Sequence, residues 1–126
     1  MNKRIINTTK APAPIGPYNQ AIISNDMVFI SGQIALNAAT NELIKGDINA
    51  ETHQVMRNLQ EILEEAGINF NHAVKTTIFL KDMALFAQVN EVYGSYFSAD
   101  YPARETVAVK GLPKDVNVEI SMIAVL

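Results

Sequence analysis

The chain contains no cysteine. Disulfide cross-links, thiolate metal sites and a thiol nucleophile are therefore excluded. Histidine is nearly as scarce. His53 and His72 are the only two, and they lie far apart in sequence, so a zinc site is not expected. An excess of one charge is missing too: ten Lys and Arg stand against thirteen Asp and Glu, spread along the chain, for a formal net charge of −3. That balance favours solubility and offers no general attraction to a phosphate backbone, so no nucleic-acid partner is expected. No apolar run reaches the roughly 20 residues that a membrane span needs, and the N-terminus has no charged-then-apolar export pattern. The expectation is a cytoplasmic protein with no membrane partner.

What the sequence does contain is one domain's worth of chain. Its 126 residues leave no room for two full cores, and a hydrophobic content of 48% is ordinary for a globular protein. A domain of this size buries roughly two-thirds of the surface its unfolded chain exposes.

The segment Lys10 to Pro17 carries three prolines and a glycine, which makes it a stiff, irregular loop. Arg4-Ile5-Ile6 before it reads as a short edge strand. Asn25-Asp26 separates Ala21-Ile22-Ile23 from the apolar run Met27 to Ile34, the pattern of a hairpin. Asn37 to Gly46 is a polar loop. Val55, Leu59, Ile62, Leu63 and Ala66 then recur at helical spacing, with Glu51, Gln54, Arg57, Asn58, Glu61 and Glu65 assigned to the opposite side. Asp47 or Asn49 can cap this helix, and Gly67 can stop it. Ala73 to Leu80 reads as a strand. Asp82 can cap a second helix carrying Leu85, Phe86, Val89, Val92, Tyr93, Tyr96 and Phe97, which ends before Pro102. Two more strands follow, about Ala103 to Val109 and Val118 to Leu126.

These elements predict a single α+β domain, residues 1–126: one mixed sheet with two helices on one face, a two-layer sandwich. The other face would normally be polar. Yet in the last strand Val118, Ile120, Met122, Ala124 and Leu126 alternate with Ile123 and Val125, and in the third Val28, Ile30 and Ile34 alternate with Met27 and Phe29. Strands apolar on both faces need cover on both, and no further helix is available. Other copies of the chain are the expected cover, making a homo-oligomer.

Three stretches break the packing pattern. Ile15-Gly16-Pro17-Tyr18 is a rigid loop presenting a tyrosine. Ser31-Gly32-Gln33 interrupts an apolar strand, where a glycine suggests close approach by another group. Arg104 enters one strand while Glu119 sits between large apolar neighbours on the next, and an unpaired buried carboxylate is costly, so Arg104 is its natural partner. Each stretch also has a purely structural reading: a strand-ending loop, a capping tyrosine, a bulge, an interface ion pair. No P-loop, dinucleotide fingerprint, nucleophile elbow or metal box is present. The residues alone lead to an oligomeric α+β domain with a candidate carboxylate-binding arginine.

The combination Ile15-Gly16-Pro17-Tyr18, Ile30-Ser31-Gly32-Gln33, Gly46-Asp47-Ile48, Lys75 to Leu80, Val89-Asn90, Pro102-Ala103-Arg104, and Leu112-Pro113-Lys114-Asp115 with Val118-Glu119-Ile120 resembles the Rid family, also called RidA/YjgF, essentially end to end. The resemblance implies a chorismate-mutase-like fold, a homotrimer with clefts between subunits, and hydrolysis of the imine or enamine products of pyridoxal-phosphate dehydratases. It further implies that Arg104 holds the substrate carboxylate and Glu119 handles water, with Tyr18, Ser31, Gly32, Asn90 and Thr106 around the substrate. Two departures stand out. Thr106 occupies a position where many members of the subgroup carry cysteine, and only its backbone N–H and C=O are expected to matter. The segment between Phe97 and Pro102 is also shorter than the family's pattern.

The implied chemistry needs no metal or organic cofactor. An arginine fork fixes a planar carboxylate, and a positioned carboxylate base delivers water to the adjacent imine carbon. Two rival readings are a non-catalytic sensor of 2-oxo or amino acids, and a protein acting on RNA. A base beside the arginine favours the enzyme over the first; the acidic net charge and lack of basic clusters count against the second.

Overall fold

Helix α1 (Ile48–Glu65) forms where its apolar stripe predicts it. Val55, Leu59, Ile62 and Leu63 are each 0% exposed. Each such side chain contributes roughly 1.5–3 kcal/mol on burial. Asp47, not Asn49, is the N-cap: its Oδ1 accepts from the Asn49 N–H at 2.9 Å. At the other end Gly67 adopts φ +81°, and the Gly67 and Ile68 N–H groups donate to the Glu64 and Leu63 carbonyls, a Schellman stop. The computed structural model describes residues 2–126.

Six strands form one sheet: β1 (Arg4–Ile6), β2 (Ala21–Ser24), β3 (Met27–Gln33), β4 (Ala73–Leu80), β5 (Ala103–Ala108) and β6 (Val118–Val125), in the order β1-β2-β3-β6-β4-β5. Only β4 and β5 run parallel, joined through α2 (Phe86–Gly94). The β2–β3 hairpin turns on Asn25 and Asp26, both at positive φ, as the favoured two-residue hairpin turn requires. Asp82 does cap, but the chain first makes a 3₁₀ turn, Met83–Leu85, before α2 begins. Tyr96 and Phe97 fall beyond the end of α2, where Phe97 packs on Phe70 and Tyr93 at ring separations of 5.5 and 4.9 Å.

Both helices cover the same face. Val28, Ile30, Ile78, Leu80, Val118, Ile120, Met122 and Ala124 fill the layer beneath them. The other face carries Ile22, Phe29, Phe79, Val107, Ile123 and Val125 among Lys75, Thr77, Glu105 and Ser121, with Phe29 and Val107 each 42% exposed. No helix among the described residues is long and apolar enough to cross a membrane.

Three expectations change. A register shift between Ile30 and Gln33 lets Gln33, not Ile34, take the next buried position on β3. Leu126 lies past the end of β6 and is exposed. Glu51 and Asn58, assigned to the outer side of α1, are both buried. Glu51 accepts from the Asn117 backbone N–H and Nδ2 at 2.8 Å each and from the Val118 N–H at 3.3 Å. Asn58 Nδ2 donates to the Ile34 and Leu36 carbonyls at 3.0 Å. Periodicity assigns such residues outward because it cannot register a loop backbone waiting for a partner.

Candidate functional site

Strand β5 is an edge strand, so Arg104 leaves the sheet beside α2 with solvent ahead of it. Its Nη1 donates to Asn90 Oδ1 at 2.6 Å. The guanidinium carbon lies 5.1 Å from the Tyr93 ring centroid and 5.6 Å from that of Phe86. Phe86, Asn90 and Tyr93 sit at i, i+4 and i+7 and therefore share one face of α2. Arg104, Asn90 and Tyr93, with Glu91, Gly94, Tyr101 and Pro102, line a pocket of about 570 Å³. The ion pairs among the described residues are Lys75–Glu105 and Lys81–Asp115, so none of their carboxylates pairs with Arg104.

Glu119 lies on the other face of the sheet. Its register partner on β4 is Phe79, whereas Arg104 is aligned with Thr76, whose hydroxyl meets Tyr93 of α2. Burial raises the Glu119 carboxyl pKa above its usual range, since desolvation penalises the charged form. The close approach expected at Gly32 is made by Glu119 itself: a Cβ on Gly32 would stand 2.9 Å from the Glu119 carboxyl carbon. A side chain at Gly32 would therefore push the Glu119 carboxyl out of its place, at a bulge that also turns Ser31. Ser31 Oγ donates to the Asn19 carbonyl at 2.7 Å, and its N–H to the Gln20 carbonyl at 2.9 Å. Tyr18, Asn19 and Ser31 line an open-face depression of about 490 Å³ together with Phe29, Lys75 and Thr77.

The residues singled out from sequence therefore form two groups. Arg104 and Asn90 share the helix side; Tyr18, Ser31, Gly32 and Glu119 share the opposite side. The expected Arg104–Glu119 pairing within one chain does not occur. The parallel β4–α2–β5 crossover puts β5 outside β4, so the two strands are not neighbours, and alternation points the two side chains apart. Thr106 follows Arg104 on the helix side, its Oγ1 buried without a hydrogen-bond partner. Sequence reasoning missed Gln20 and the α2 aromatics as supports. Gln20 is 1% exposed, and its side chain accepts from the Thr8 N–H at 2.7 Å and donates to the Thr8, Ala11 and Pro12 carbonyls. A polar residue directly after Tyr18-Asn19, opening a buried strand, was the available signal.

Fold and pockets together define a single-sheet α+β domain with an arginine pocket at its edge strand. The sequence profile of the family described as Endoribonuclease L-PSP matches residues 8–126. The chain belongs to this family, the Rid (RidA/YjgF) family of the sequence resemblance. It is 50% identical over 124 residues to a RutC family protein of Pyrococcus abyssi, covering 98% of both chains. It is 46% identical to the 2-iminobutanoate/2-iminopropanoate deaminase of Mus musculus, covering 98% of this chain and 91% of the other. Among solved structures, E. coli TdcF with bound serine superposes with a TM-score of 0.93 at 40% identity, covering 98% of each chain.

Proposed function

We propose that the chain is a cytoplasmic deaminase that hydrolyses 2-imino acids and their enamine tautomers, such as 2-iminobutanoate and 2-iminopropanoate, to 2-oxo acids and ammonia. Among its relatives are proteins named for this reaction. The observation that carries the reading is Arg104, held at a pocket with donors to spare and in no ion pair among the described residues. A guanidinium presents five N–H donors, and Asn90 engages one nitrogen. The remaining edge suits bidentate capture of a carboxylate.

Captured this way, the substrate's C2 is fixed beside its carboxylate. Water adds to C2 of the protonated imine as Glu119 takes a proton from it, giving a carbinolamine. The protonated Glu119 then returns a proton to the amine nitrogen. The C2–N bond breaks, the carbinol O–H yields its proton to the regenerated Glu119 carboxylate, and C2=O forms as ammonia leaves. A carboxyl whose pKa burial has raised suits both halves of that exchange.

Arg104 and Glu119 sit on opposite faces of one sheet, so a complete site needs two copies. An edge-strand arginine can reach the open face of a neighbour, and that face is apolar enough to need cover. This supports the homotrimer with intersubunit clefts, in which Tyr18, Ser31 and Gly32 accompany Glu119 while Asn90 and Thr106 accompany Arg104.

The RNA reading gains nothing from the histidines, since His53 is bonded to the Tyr96 hydroxyl and His72 to Asn69, neither at Arg104 nor at Glu119. The test is a threonine dehydratase coupled assay of 2-oxobutanoate release. The wild-type chain is expected to accelerate release. Arg104→Lys should lose most of that gain and Arg104→Ala nearly all of it, because an ammonium cannot present two parallel donors. Full activity in Arg104→Ala would overturn the assignment. Binding of 2-oxobutanoate without any acceleration would favour a sensor instead.

A further inference from the structure

The α2 stripe does more than border the pocket. Three independent contacts converge on the Arg104 guanidinium: the Tyr93 ring at 5.1 Å, the Phe86 ring at 5.6 Å and the Asn90 amide oxygen at 2.6 Å. Tyr93 is itself fixed. Its hydroxyl meets Thr76 Oγ1 at 2.7 Å in a fully buried pair, and its ring packs on Phe97 at 4.9 Å. Thr76 is in turn the residue aligned with Arg104 across β4 and β5. The supports thus close a circuit from strand to helix and back to the arginine.

We infer that Phe86 and Tyr93 are positioning residues, an aromatic cradle that orients the Arg104 guanidinium before a carboxylate arrives. This rests on Arg104 being the carboxylate-binding group. An unrestrained arginine carries substantial rotamer entropy, all of it lost when a ligand fixes the fork. Rings beneath the guanidinium, whose π faces attract the cation, restrict it in the free protein instead. Asn90 then holds one terminal nitrogen, leaving the other donors to the pocket that Tyr101 and Pro102 help to line.

Such a cradle has a particular kinetic signature. The carboxylate is held equally in the ground state and the transition state, so loosening its receptor removes uniform binding: KM rises and kcat stays. Phe86 is the cleaner probe, because it is only partly buried whereas Tyr93 belongs to the core. Phe86→Leu keeps the apolar bulk and removes the π face. In the full-length protein it should raise KM for the imine, and the dissociation constant for 2-oxobutanoate, about three- to tenfold, with kcat within about twofold. Phe86→Tyr restores a ring and should return both constants to parental values. Tyr93→Phe keeps its ring but loses the bond to Thr76; it should melt earlier while leaving KM within about threefold. An unchanged KM in Phe86→Leu, or a fall in kcat alone, overturns the cradle. If Arg104→Ala is inactive in the same experiment, the arginine assignment survives that failure; if Arg104→Ala is fully active, both fall.

Discussion

Glu119 is a carboxyl whose chemistry follows from its surroundings. Burial raises its pKa, and Gly32 leaves the space in which it lies. Deprotonation is needed for a general base, so kcat/KM should fall on the acid side at a pH above the ordinary glutamate value of about 4.3, with an apparent pKa that Glu119→Gln abolishes along with most turnover. The stability consequence has the opposite sense. A raised folded-state pKa favours the neutral carboxyl, so its stabilising contribution is complete below about pH 4.3 and is lost as pH rises through the raised value. Glu119→Gln should therefore melt no lower than the parent at pH 7 while binding 2-oxobutanoate normally. A lower melting temperature together with lost ligand binding would instead mark Glu119 as a structural group. Thr106 is the contrasting case. Its hydroxyl is buried without a partner, so it adds desolvation cost and no bond. Thr106→Ala should keep imine hydrolysis within a few-fold. A loss beyond about a hundredfold in a folded variant, equivalent to about 2.7 kcal/mol of barrier, would show that the hydroxyl takes part.

At the scale of elements, two irregular pieces set the open-face half of the proposed site. The bulge in β3 turns Ser31 and Gly32 out of register, and the proline-rich loop brings Tyr18 alongside. Prolines stiffen that loop but donate no hydrogen bonds, so its backbone needs an external anchor. Gln20 is that anchor, tying Thr8, Ala11 and Pro12 together while its own carbonyl receives the Ser31 N–H. Gln20→Ala should leave buried carbonyls and an N–H unpaired, lowering stability by about 1–3 kcal/mol. Amide hydrogen exchange should accelerate across residues 8–20 while α1 stays protected. Uniform exchange throughout the chain would show that Gln20 merely supports the core.

At the scale of the whole molecule, one sheet face is finished and the other is not. The helices seal the first. The second exposes Phe29 and Val107 beside polar residues. Light scattering at micromolar concentration should return a mass three times that of the 13.8 kDa chain. A stable monomer would overturn the proposed trimer and its intersubunit cleft. Mixing inactive Arg104→Ala with inactive Glu119→Gln chains should regain part of the activity, because some clefts in mixed trimers then combine an intact arginine with an intact glutamate.

Much of this architecture is written locally. Asp47 and Gly67 bracket α1, Asn25-Asp26 turns the β2–β3 hairpin, and Ala73 to Leu80 forms β4 as its residues predict. Those signals act over a few residues, through capping, positive φ and side-chain period, and need no knowledge of the remainder. Family motifs likewise mark out Tyr18, Ser31, Gly32, Asn90, Arg104 and Glu119. Other features depend on contacts between distant segments. Glu51 and Asn58 are buried because loops at Asn117, Ile34 and Leu36 bring backbone groups to them. The strand order separates β5 from β6, and alternation about β4 sends Arg104 and Glu119 to opposite faces. Residue spacing specifies which face of its own element a side chain occupies; which neighbour that face meets is decided only when the sheet has assembled.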